Sequence, residues 1–193
     1  MNLPDTLQEH FRFAPLKKID PNTQEVIKDS KHPDHDRLGQ AAIPAVLTGL
    51  YKYSETDDGA SEILRGSYST NWVEKLFGDQ YNAVVDRVSA YSFTPAAEAE
   101  SAMNNIAVKA AELSREQVAS KSDPVLAIKE FLVSQRKTIL HYLPAAMQLG
   151  QLIDDDTVDD RTNKMEGPIS SLMQNIGSGF SKTDHDEKLS HQK

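Results

Sequence analysis

The sequence predicts an all-α fold, a single bundle of about seven to nine helices. Three observations predict it. Apolar residues recur at intervals of three and four over several long stretches. Capping residues stand just before prolines that can open a helix. Sustained alternation of apolar and polar residues, the mark of a half-buried strand, is missing.

Taken in chain order, helices are predicted near 3–12, 21–29, 37–54, 58–65 and 71–77. Asp20-Pro21 opens the second of these. Proline is tolerated at the first helical position, because the N–H that it lacks would be unpaired there. Asn71 with Glu74 three residues on has the spacing of a capping box. Tyr81, Val84, Val85, Val88 and Tyr91 fall on one helical face. An alanine-rich helix follows over 95–119, capped by Thr94 before Pro95, with Met103, Ile106, Ala110 and Leu113 along one side. Asp123-Pro124 opens a helix over 124–143 whose stripe is Val125, Ile128, Leu132, Ile139, Leu140 and Leu143. Gly167-Pro168 opens a last one, lined by Ile169, Leu172, Met173, Ile176 and Phe180. Residues 181–193 hold Leu189 as their one apolar side chain and are expected to be a disordered polar tail. The domain expectation is therefore one helical domain over 1–180.

The totals restrict function. The chain has 193 residues and a formal charge of −8. An acidic chain repels phosphates and anionic lipid heads. The basic pairs Lys17-Lys18 and Arg136-Lys137 are short and flanked by apolar residues, so neither makes a basic patch. Neither nucleic acid nor membrane is expected as a partner. The absence of cysteine excludes disulfides, thiolate zinc sites and cysteine nucleophiles. The first fifteen residues carry Asp5, Glu9, His10 and Arg12, which does not fit a secretory signal, and the cytoplasm is the expected location.

One internal echo stands out. Ile43-Pro44-Ala45-Val46-Leu47 resembles Leu143-Pro144-Ala145-Ala146-Met147, and each leads into an acidic turn. Two proline-entered or proline-kinked helices related by duplication would explain it; so would chance similarity between amphipathic helices. The segment Ala42-Ile43-Pro44-Ala45-Val46-Leu47-Thr48-Gly49-Leu50, followed by Gly59-Ala60-Ser61-Glu62-Ile63-Leu64, resembles the YidB-like family of bacterial proteins of unknown function. Similarity extends over roughly 37–66 and 139–153, the second part being a proline-containing apolar helix near the C-terminus. The resemblance implies a bacterial, helical, non-catalytic protein, and brings no catalytic residues with it.

Candidate chemistry is sparse. His32-Pro33-Asp34-His35-Asp36 carries two imidazoles and two carboxylates, but Pro33 keeps them off one helical face. A polar turn capping the next helix accounts for the same residues. In the acidic stretch 154–166, Asp155, Thr157, Asp159 and Glu166 stand at the first, third, fifth and twelfth positions of a calcium loop. Asp160 occupies the sixth position, where the sharp turn wants glycine. A solvated acidic loop ahead of the helix at Pro168 explains the stretch equally. No nucleophile elbow, phosphate loop or Glu-x-x-His pair is present, and no cofactor is implied. His141 reads as a partly buried helix residue. Tyr51, Tyr53, Tyr68, Trp72 and Phe77 suit either an interface or a core, and the helical spacing of Trp72, Val73, Leu76 and Phe77 favours core. The expectation is a non-catalytic protein that associates with itself or with a protein partner. The alternative is a metal- or ligand-binding protein using 154–166 or 32–36.

Overall fold

The computed structural model describes residues 1–20, 37–66 and 71–153. The predicted helices over 21–29 and 168–180, the His/Asp turn 32–36, the acidic loop with Asp155, Asp159 and Glu166, Tyr68 and the tail 181–193 lie outside the described residues. Within them the fold is all-α, with no β-strand among the described residues. In chain order the helices are α1 (Leu3–Phe11), α2 (Arg37–Tyr53), α3 (Asp57–Arg65), α4 (Trp72–Phe77), α5 (Tyr81–Ser92), α6 (Ala96–Val118), α7 (Pro124–Tyr142) and the single turn α8 (Leu149–Leu152).

Helix α2 is the hub. Between Arg37 and Lys52 no side chain carries a charge. A helix that is apolar on all sides must be surrounded. Every residue from Gly39 to Leu50 is buried, and α1, α4, α5, α6 and α7 pack around it. The three predicted stripes that fall in the described residues supply the wall. Val84, Val85 and Val88 of α5, Met103, Ile106 and Ala110 of α6, and Ile128, Leu132, Ile139 and Leu140 of α7 are all buried in one core. Trp72 and Phe77 join it, so the aromatic cluster is core at these two positions.

Helix ends follow local chemistry. Asn71 accepts a hydrogen bond from the Glu74 N–H at 3.1 Å, and Asp123 accepts one from the Leu126 N–H at 3.0 Å. Both satisfy orphan donors of a first turn. The start of α6 differs from expectation. Pro95 is the N-cap residue, the helix begins at Ala96, and no side chain caps it. The Pro95 carbonyl accepts from the Glu98 and Ala99 N–H groups, while the Thr94 carbonyl accepts from the Ser89 hydroxyl at 2.7 Å.

The two Pro-Ala segments do not form a repeated helix. Pro44 lies inside α2, whereas α7 stops at Tyr142, and Pro144 leads into a 3-10 turn over Ala145–Met147. Leu143 has φ −76° and ψ 115°, the extended geometry that a following proline favours. The difference lies in what can satisfy the backbone. Around Pro144, side chains stand in for helical partners. Gln40 Nε2 donates to the Tyr142 carbonyl, and Arg87 donates to the Met147 and Gln148 carbonyls, each at 2.7 Å. Residues 39–50 are buried, so their backbone groups pair within the helix wherever a donor exists, Pro44 alone bringing no N–H.

Candidate functional site

The polar side chains within reach of chemistry form clasps between helices. Tyr53 on α2 donates its hydroxyl to Glu62 Oε2 on α3 at 3.0 Å. Lys75 on α4 donates to the same oxygen. The Lys75 ammonium also lies 5.6 Å from the centre of the Trp72 ring. Burial, then the hydrogen bond to Glu62, pushes the Tyr53 hydroxyl up to about 12. The Lys75 and Tyr53 donors hold the Glu62 carboxyl below its usual range. The motif recurs. Tyr142 on α7 donates to Asp5 Oδ1 on α1 at 3.3 Å, and Tyr81 on α5 bonds Glu100 on α6. Both hydroxyls are raised, Tyr142 mainly by burial and Tyr81 mainly by Glu100. Tyr91 is raised by burial. A tyrosine that works as a base or nucleophile needs its pKa lowered towards neutrality. These four move the other way, and three of them, Tyr53, Tyr81 and Tyr142, are held by a carboxylate on a neighbouring helix.

Two buried glutamines bind main chain. Gln40 accepts from the Lys17 N–H at 2.8 Å and donates to the Lys17 carbonyl at 3.0 Å. Gln135 accepts from the Leu3 N–H at 3.0 Å and donates to the Met1 carbonyl at 3.3 Å. With the Ile19 N–H on the His141 carbonyl at 2.8 Å, they fasten residues 1–20 across α2 and α7. His141 is half-buried, as its setting in α7 predicts. Arg115 of α6 donates to the Ile63 carbonyl at the end of α3 at 3.1 Å, a favourable place for a cation. Sequence reasoning singled out none of Gln40, Gln135 and Arg115. A usable signal existed for two: Gln40 interrupts an apolar run, and Gln135 continues the α7 stripe three residues after Leu132.

A cleft lined by Thr48, Tyr51, Arg136, Ile139 and Leu140 has a volume of about 10 Å³, room for about one water. Organic substrates need several hundred Å³. Among the described residues no group of three or more His, Asp or Glu side chains could hold a metal ion. The candidate ligands Asp155, Asp159 and Glu166 lie outside them. No helix among the described residues is long and apolar enough to cross a membrane.

Among the described residues the large apolar side chains left exposed are Met1, Phe93, Leu126 and Val133. Phe93, at the end of α5, is 79% exposed with φ +57°, and the Arg37 guanidinium lies 4.9 Å from its ring centre. On α7, Leu126 and Val133 are 51% and 56% exposed. They stand seven residues apart and therefore share a face. Comparison with protein families, with curated proteins and with solved structures finds no match to this chain. The outer face of α7 is the most specific candidate functional surface, because its apolar side chains recur at helical spacing along a rigid element.

Proposed function

We propose that this is a non-catalytic helical protein that acts by association, with a second copy of itself or with a protein partner. The observation that carries the reading is the outer face of α7, where Leu126 and Val133 stay exposed on a helix whose other face is core. Helix faces of this kind are read by partner helices. The tyrosine clasps add support, since their chemistry holds helices together and is unsuited to proton abstraction. The acidic balance favours a protein partner over nucleic acid or anionic lipid. The lack of cysteine fits a reducing compartment, and we place the protein in the cytoplasm. The Ala42–Leu50 and Gly59–Leu64 segments, with the stretch 139–153, support membership of the YidB-like family of bacterial proteins. Size-exclusion chromatography with light scattering at two concentrations tests the self-association half. A mass that grows with concentration is expected, and a strict monomer counts against it.

A second reading rests on the oxygen donors Asp155, Thr157, Asp159 and Glu166 at calcium-loop offsets. Calorimetric titration decides it: no heat and no shift in melting temperature with millimolar calcium removes it.

A further inference from the structure

We infer that the outer face of α7 pairs antiparallel with α7 of a second copy, about a two-fold axis. The inference rests on the association reading above and names its surface and occupant. Four exposed residues line the face: Leu126, Glu130, Val133 and Lys137. Their spacing of four, three and four keeps them on one seam, as in two-stranded helix pairing. Their charges choose the direction. Parallel pairing in register sets Glu130 against Glu130 and Lys137 against Lys137, which repels twice. Antiparallel pairing about a two-fold sets Leu126 beside the stem of Lys137 of the second copy, and Val133 beside the stem of Glu130. It also brings each Glu130 within one helical turn of Lys137 of the second copy, a distance that long side chains span. The two Glu130 lie three residues apart along the axis, but side chains lean toward their own N-termini, which separates the glutamates and closes the two Glu130–Lys137 pairs. Among the described residues neither Glu130 nor Lys137 makes an ion pair, whereas their neighbour Lys129 is already bound to Asp57. Both charges are therefore available for the pairing. The face is small. A stable interface buries about 800 Å² on each partner, and one four-residue seam covers less. The dimer is accordingly weak, with dissociation on the order of 100 μM to 1 mM.

Sedimentation velocity of the full chain from about 10 μM to 1 mM, at low and high salt, tests it. Three forms are compared: wild type, Lys137→Glu, and the charge-swapped Glu130→Lys with Lys137→Glu. Both sites are solvent-exposed positions, and unchanged melting temperatures confirm that the variants fold. Wild type is expected to dimerise weakly and less so at high salt. Lys137→Glu turns two attractive pairs into repulsive ones and weakens the dimer about tenfold. The double variant restores it, because exchanging the signs preserves complementarity. Dimerisation that ignores Lys137→Glu, or that the double variant does not recover, overturns this seam and leaves self-association through another face standing. A monomer throughout the concentration range overturns both the seam and the self-association half of the reading.

Discussion

Gly66 turns the chain out of α3 with φ +65°, and a Cβ placed there would sit 2.7 Å from Arg115 Nη1. Both facts oppose a side chain. The positive φ, with ψ 130°, costs any other residue about 1–3 kcal/mol, and Arg115 would have to leave the Ile63 carbonyl that it caps. Gly66→Ala is therefore expected to lower the unfolding free energy by about 2 kcal/mol in urea titration. Gly78 provides the control. Its φ is +50°, but nothing lies within 4 Å of its would-be Cβ, so Gly78→Ala should cost only the backbone strain. Equal losses at the two positions would show that Arg115 moves aside freely. The Tyr53–Glu62–Lys75 clasp makes a prediction about pH. The Glu62 carboxyl is held below its usual range in the fold, so its contribution is present above that range and is lost as pH falls through the lowered value. The Tyr53 hydroxyl is pushed up to about 12, so its contribution is present below the ordinary value near 10 and is lost as pH rises from there to about 12. Melting temperature followed over pH should fall at both ends. Tyr53→Phe should flatten part of the alkaline fall, and an unchanged profile would remove the clasp from the account. The caps at Asn71 and Asp123 could be read from local spacing, because a cap binds an N–H three residues away. Gln40, Gln135, Arg87 and Arg115 could not be assigned partners, because each binds a carbonyl or amide far along the chain.

Helix α2 tolerates Pro44 and two glycines, which intrinsic propensity counts against it. Packing decides otherwise. A Cβ on Gly49 would stand 2.6 Å from the Phe77 ring, so the missing side chain is the socket for that ring. Two effects compete in Gly49→Ala. Removing a glycine from a helix interior gains about 1 kcal/mol, and forcing a methyl group against a buried ring costs about 1–3 kcal/mol. Phe77 is only 6% exposed and has little room to retreat, so the cost is expected to win. Gly49→Ala should lower the urea midpoint in wild type and do so less in a Phe77→Leu background, where the ring is gone. A stabilised Gly49→Ala would mean that Phe77 swings clear at little cost. The stripes on α5, α6 and α7 were readable because they repeat every three to four residues and need no knowledge of the partner. The fate of Pro44 and Pro144 was not. Their neighbours in sequence are nearly alike, and one segment stays helical while the other unwinds because Gln40 and Arg87 reach only the second. The same holds for the candidate surface. The apolar and polar positions of α7 are visible in sequence, but that Leu126 and Val133 face away from the core follows only from where α1, α2, α3 and α6 lie.

For the molecule as a whole, the arrangement of helices sets an order of stability. Helices α1, α4, α5, α6 and α7 pack against α2, and residues 39–50 are buried all round. Opening any of its backbone hydrogen bonds to water requires removing a neighbouring helix. The removed helix would take with it side chains of the one continuous core. No local fluctuation is small enough to expose that backbone, so exchange must wait for global unfolding. Helix α8 is the opposite case. It is a single turn of four residues, too short to hold itself together, and among the described residues α5 is the one helix that it packs on substantially. Its amides should exchange through local opening. Native-state hydrogen exchange in low urea separates the two. The amides of Ala45 to Leu50 are expected to show the same free energy and urea dependence as unfolding followed by circular dichroism. Those of Leu149 to Leu152 should exchange faster and with little urea dependence. If the α2 amides also exchanged with little urea dependence, the enclosing helices would be opening one at a time. The hub would then be a feature of the average packing with no hold on the cooperativity of the fold.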